Sequence, residues 1–406
     1  HNMYPLKTAR VNRVKLRFFD SLACPNHAHL VRSFNVPMRR INRFGKDRVL
    51  QSYGLENSTL SPFNEDLSFA FDTNPPLQSK RLSKDIPLSQ STLPASTLLQ
   101  EAHRMHHKTI ILLHGFPELW ISWKNQLQML TQTGYRVIAV DLRGFGGSEC
   151  PEDSTEYDVF SVANDVLHLL RDMNVDRVSI IAHGIGSEVA HFIALYAPKY
   201  VECLVSINYL YPMPSRAKTF AAREQEAGST FDFILSHVES SIEIEYERRM
   251  ETLFRRLFSY AGVSCASPKV LSPQRSAGQS IIDRLGEPYS IPYYFTSADM
   301  DYFLENYQRT GFSGAVNHIR NKDVNIKKFT SLRSHVVQQP ALILLGEDDI
   351  LFDTHSDRHS TEGYRNSELH LISNGGPFLQ LQKKDEVNAY VMKFLKTHVS
   401  PISKIE

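Results

Sequence analysis

The chain has 406 residues, is 42% hydrophobic and 22% charged, and carries a formal net charge of +1. That is the balance of an ordinary globular protein, long enough for one large α/β domain with smaller additions. No apolar run approaches the ~20 residues that a membrane-spanning helix needs, and Cys24, Cys150, Cys203 and Cys265 have no spacing that suggests a disulfide frame or a zinc site.

The small net charge hides an asymmetry. Residues 1–50 hold 11 Lys/Arg against two acids, Asp20 and Asp47, whereas the remainder sums to −8. An acidic body is not the balance of a nucleic-acid-binding domain. The basic leader, with "KTARVNRVKLRFFDSLA" and "HLVRSFNVPMRRINRFG", reads like an organelle transit sequence, so a mitochondrial location is expected, with the cytoplasm as the alternative. The alternation of Val14, Leu16 and Phe18 fits an N-terminal strand equally well. Residues 51–105 turn polar and rich in Ser, Leu and Pro without sustained period, which reads as a linker or an extended arm.

After this arm, short β-rich runs at 109–113, 136–140, 178–182, 203–207 and 341–345 alternate with helical stretches at 158–173, 186–197 and 384–397. Continuous apolar strands alternating with helices imply an α/β fold, a mostly parallel sheet covered by helices on both faces. Between 213 and 322 this rhythm gives way to charged helical stretches and a Ser/Gly/Pro loop, so the sheet's two parts, 106–212 and 323–406, are separated by an inserted helical cap.

Four landmarks fall in order along the core. They are "LLHGFPELWISW" (112–123), "DLRGFGGSE" (141–149), the strand–turn–helix "VSIIAHGIGSEVAHF" (178–192) and "LLGEDD" (344–349). The cap segment "GFSGAVNHIRN" (311–321) and the final loop "NGGPFLQLQKKDEVN" (374–388) follow the same pattern. With these motifs the sequence resembles the α/β-hydrolase superfamily, and within it the epoxide-hydrolase-like branch, from about residue 107 to 398.

The resemblance implies a definite chemistry. An Asp at the elbow attacks the epoxide carbon, a His in the final loop, oriented by an acid, activates water, and two cap tyrosines hydrogen-bond the epoxide oxygen. Laid on this chain, the nucleophile position falls on Gly184 and the histidine position on Pro377. The cap tyrosine positions fall on Ile319 and Phe233, and only the acid survives, as Asp349. Glycine has no side chain to attack with, and proline has no imidazole to take a proton from water. By resemblance the backbone N–H groups of Phe116 and Ile185 are what is left of the oxyanion hole. His114, Trp120, His183 and His318 are candidates to line a pocket, although His183 precedes the elbow and is expected to point away from it.

Plainer readings exist for each of these positions. Gly184 could be an ordinary turn and Asp349 a turn or helix-cap acid. Pro377 could reflect a misalignment, but no His lies between 371 and 396, and His370 belongs to the strand-like run "SELHLIS". The expectation is therefore a catalytically inactive member of this fold, without metal or cofactor. It would serve as a structural or assembly subunit with protein partners, or as a binder of a small apolar ligand under the cap. The competing class is an active epoxide hydrolase or esterase with relocated residues. Ser187 and Glu188 open the elbow helix, but their spacing puts them past the nucleophile position.

Overall fold

The computed structural model describes residues 6–23, 108–222, 237–238, 242–260, 280–285, 292–349 and 361–399. All of them belong to one compact unit, residues 1–37 with 103–406; the second unit, 38–102, lies outside the described residues, as does most of the expected arm.

Eight strands form one sheet in the order β1-β2-β4-β3-β5-β6-β7-β8. They are β1 (Leu6–Val11), β2 (Val14–Asp20), β3 (Thr109–Leu113), β4 (Arg136–Asp141), β5 (Val178–His183), β6 (Val201–Ile207), β7 (Ala341–Gly346) and β8 (Ser367–Ile372). From β4 through β8 every pairing is parallel, whereas β1 and β2 join antiparallel. The central strands are apolar throughout because both faces are covered: every residue of β3, β4, β5 and β7 is buried. Helices α1 (Lys124–Gln132), α2 (Val159–Asp172) and α3 (Ile185–Tyr196) follow β3, β4 and β5 in turn. Asp158 starts α2 by accepting the N–H groups of Phe160 and Ser161.

In the N-terminal segment the structure follows the strand alternative. Residues 6–20 are two strands of the sheet, and Val11, Val14, Leu16, Phe18 and Phe19 lie in the core. The Arg17 guanidinium donates from Nε to Asp141 Oδ2 at 2.6 Å, and Asp141 is itself fully buried at the end of β4. The alternation Val14, Leu16, Phe18 is that of a strand, with these side chains buried. The hairpin ends where Asp20 pairs with Ile138, and β3 begins where Thr109 pairs with Arg136. Ala23 and Lys108 therefore both sit at the edge where the parallel strands start, opposite the edge where they end.

The cap enters between β6 and β7. Its described helices are α4 (Ile242–Arg248), α5 (Met250–Tyr260), α6 (Ile281–Arg284), α7 (Ser297–Thr310), α8 (Ser313–Arg320) and α9 (Lys322–Thr330), so the helical run extends past residue 322. A capping box between Thr296 and Asp299 starts α7. Phe254, Phe258, Phe303, Tyr307 and Phe312 form its aromatic centre. The cap is fastened to the core by the Trp120 Nε1–H bond to Tyr302 Oη at 2.8 Å and by Phe258 against Phe378, with ring centroids 4.5 Å apart. The chain returns through α10 (Leu379–Gln382) and ends in α11 (Lys384–His398).

Phe19, stacked on Trp120 at 5.7 Å, tests the hairpin's role. Phe19→Ala is expected to cost about 3–5 kcal/mol of folding free energy, the range for a buried aromatic. Denaturant unfolding reads it, and a change below about 0.5 kcal/mol, the range for exposed positions, would mean that the hairpin is dispensable.

Candidate functional site

Gly184 links β5 to α3 with φ 51° and ψ −120°. An L-residue in such a conformation is strained by about 1–3 kcal/mol, whereas glycine adopts it freely. Its N–H donates to Ile207 O, and its carbonyl accepts the N–H groups of Ser187 and Glu188, which fixes the turn between β6 and the first turn of α3. A Cβ built on Gly184 would meet only Gly115 Cα, at 3.5 Å, an ordinary contact. Gly186 is the opposite case, since a Cβ there would collide with the backbone carbonyls of Leu113 and His114. Gly184 and Ile185 are half-buried while the rest of the first turn of α3 is buried.

Beneath the elbow, three loops converge on one carboxylate. Glu118 Oε2 accepts the Gly115 N–H at 2.8 Å and the His183 Nδ1–H at 2.5 Å, and Glu118 Oε1 accepts from Gln380 Nε2 at 2.5 Å. The other nitrogen of His183, Nε2, lies 2.8 Å from the carbonyl oxygen of Pro377. A carbonyl and a carboxylate can only accept, so both ring nitrogens must carry protons and His183 is an imidazolium. Burial opposes its charge, but the Glu118 carboxylate outweighs this and holds the His183 pKa above its ordinary value. Burial likewise opposes the Glu118 charge, and His183 holds its pKa below the usual carboxylate range. The residue expected to point away from the site is thus its buried cation, and the position expected for a catalytic histidine supplies the carbonyl that receives it. As an imidazolium, His183 has no lone pair to accept a proton.

The remaining expected residues fall as follows. Asp349 is 3% exposed, three residues beyond β7, with its N–H on Gly346 O, and its charge is felt by His183. Ile319 is buried in α8, and Phe233 lies outside the described residues. Phe116 packs its ring edge-to-face with His237 at 5.2 Å, and the Tyr246 hydroxyl is hydrogen-bonded to His237 Nε2.

Of the four candidate lining residues, His114, His183 and Trp120 have their ring nitrogens engaged, whereas His318 is held through Nε2 alone. His114 is fully buried, with Nδ1–H on Gly115 O and Nε2 accepting from Leu142 N. His318 faces the core loop, its Nε2–H on Arg143 O, with Phe145 and Tyr157 against its ring. His183 and Trp120 are occupied by the contacts already given. Sequence reasoning also passed over two residues that assemble the site. One is Glu118, inside the quoted first motif. The other is Asn208, whose Oδ1 accepts Gly346 N–H and whose Nδ2 donates to Gly376 O, tying the ends of β6, β7 and the final loop. Glu118 could have been singled out as the only acid in that motif; Asn208 carries no comparable signal.

Two further histidines are held neutral by burial. The His318 pKa is pushed down to about 3 and that of His191 to about 4. His191 donates from Nδ1 to Ser187 O and accepts at Nε2 from the Tyr364 hydroxyl. Because these folded-state values lie below 6.5, the unfolded chain binds the extra protons, and stability falls as pH drops from 6.5. Each should remove on the order of 2 kcal/mol by pH 5, and His191→Gln should flatten the acid limb of a stability-against-pH curve by one proton's slope; an unchanged limb would refute its neutrality. The Glu118–His183 pair acts in a different window. The Glu118 share is present above 4.5 and lost as pH falls through its lowered pKa; the His183 share is present below 6.5 and lost as pH rises through its raised pKa. Glu118→Gln should therefore cost about 3–5 kcal/mol, most between those two values, by stranding a buried cation. A loss that is equal at pH 5.5 and pH 10 would contradict the ion pair.

Comparison with known proteins accords with this geometry. Residues 108–384 match the alpha/beta hydrolase fold family. Epoxide hydrolase A of Mycobacterium tuberculosis is 30% identical over 294 residues, covering 70% of this chain and 89% of that protein. Epoxide hydrolase 3 of Siraitia grosvenorii is 25% identical, covering 70% and 91%. Among solved structures, epoxide hydrolase A from Mycobacterium thermoresistibile superimposes with a TM-score of 0.71 at 23% identity, over 97% of this chain and 98% of that one. With its elbow, its cap between β6 and β7 and its parallel sheet, this chain belongs to the α/β-hydrolase fold family, where its relatives are epoxide hydrolases.

Proposed function

We propose that this chain is a non-catalytic, epoxide-hydrolase-like protein that keeps the fold and the elbow for binding. The observation that carries this reading is Gly184, which stands in the elbow conformation with room for a side chain it does not have. At the second catalytic position Pro377 contributes a carbonyl already engaged by His183, and that ring is a cation without a free lone pair. The backbone N–H groups of Phe116 and Ile185 alone would give weak residual catalysis, on the order of 10³–10⁴ over water in the serine-protease case where this has been measured. Relocated chemistry through Ser187 finds little support, because that residue is fully buried and its hydroxyl has no partner among the described residues.

Binding under the cap is favoured over pure scaffolding by the half-buried state of Gly184 and Ile185. A role as an assembly subunit, in a mitochondrion or elsewhere, is the second reading. It is favoured by the long polar sequence between β2 and β3, which joins the fold at the sheet edge away from the elbow. In either case the strand role of residues 6–20 speaks against their removal as a leader.

The deciding experiment is restoration. Unmodified protein is expected to leave styrene oxide unhydrolysed, whereas Gly184→Asp together with Pro377→His should hydrolyse it, and either substitution alone should not. The Asp would add about 1–3 kcal/mol of backbone strain, within what a stable domain tolerates. Turnover by the unmodified protein would overturn the proposal.

A further inference from the structure

One charge at the elbow takes part in none of the contacts described so far. Glu188, in the first turn of α3, is 8% exposed. Its N–H donates to Gly184 O, but among the described residues no hydrogen bond or ion pair reaches its carboxylate. The other buried acids of the core are answered: Glu118 by three donors, Asp141 by Arg17 and the N–H groups of Trp120 and Gly147, Asp165 by Arg143 and Asn12. The α3 N-terminus favours an acid in this turn.

The position of Glu188 gives this charge an address. Helical side chains lean toward the N-terminus, so Glu188 covers the turn that begins at Gly184. Tyr209 stands across from it. The β6 strand receives the Gly184 N–H at Ile207 O, two residues earlier, and after burial the Glu188 charge is the next influence raising the Tyr209 pKa. Gly184 and Ile185, both half-buried, begin this turn, and Gly115, which precedes Phe116, lies against Gly184. Apart from the Glu118–His183 pair, which is closed on itself beneath the turn, the groups named here are apolar or aromatic, and the Glu188 carboxylate can only accept hydrogen bonds.

We propose that Glu188 is the polar anchor of a ligand site over the glycine elbow, and that its ligand is a small, largely apolar molecule carrying one hydrogen-bond donor, a hydroxyl or an ammonium. The inference rests on the non-catalytic reading, since an Asp at 184 would place a second carboxylate in the same space. A carboxylate ligand would meet like charge and be rejected.

Calorimetric titration of the full chain at pH 7 with 1-hexylamine, 1-hexanol and hexanoate tests this. The ammonium, the alcohol or both should bind, with hexanoate at least tenfold weaker, and binding of one alone names the donor class. Glu188→Gln should weaken hexylammonium at least tenfold while sparing hexanol, and Glu188→Leu should weaken both. Hexanoate binding as tightly as hexylammonium, no binding of any probe at millimolar concentration, or unchanged binding in Glu188→Leu overturns the inference. If a variant fails to fold, the wild-type order of the three probes decides by itself. Styrene oxide turnover by the same wild-type sample would overturn the non-catalytic reading without changing the probe order, so the two failures are distinguishable.

Discussion

The arrangement of the site depends on one buried carboxylate. Glu118 gathers the Gly115 amide from the turn after β3, the His183 ring from the end of β5 and the Gln380 amide from the final loop. These segments are far apart in the chain, and each brings a donor that would be costly to bury unanswered. Removing Glu118 would strand all three at once. The pair with His183 is a structural use of charge. A buried ion pair adds little over well-packed apolar groups, but its geometry permits few alternatives, and the turn that carries Gly184 is held by it.

That rigidity accounts for an elbow whose shape does not depend on the side chain it carries. The elbow conformation is imposed by Gly184 N–H on Ile207 O and by the start of α3, not by the side chain at 184. Gly186 is fixed by the carbonyls of Leu113 and His114 pressed against it. A residue at 184 can therefore change while its backbone stays. Pro377 follows the same logic: its carbonyl is what the fold uses, and any residue supplies one.

Much of this was legible in the sequence. The strands at 109–113, 136–140, 178–182 and 341–345 announced themselves because a doubly covered parallel strand must be apolar along its whole length. The elbow and the cap were legible from motif order. The hairpin was not separable from a transit sequence, because Arg10, Arg13, Lys15 and Arg17 look alike in a one-dimensional count, whereas in the fold Arg17 reaches a buried acid 124 residues away. The partners of the histidines were not legible for a related reason. Whether His114, His183 or His318 faces a pocket depends on which carbonyl its ring meets, and those partners come from other loops.

The position of the hairpin has a topological consequence. Its attachment to β4, sealed by Arg136 on Asp20, closes a loop of 116 residues. Relative to a ten-residue turn, such a closure adds about 2 kcal/mol of chain entropy, which grows only with the logarithm of length. The strand pairing, not the connecting chain, thus keeps β1 and β2 in place. The hairpin owes its place in the sheet to contacts that span the whole chain length between it and β4: the ladder itself, Arg17 on Asp141 and Phe19 on Trp120.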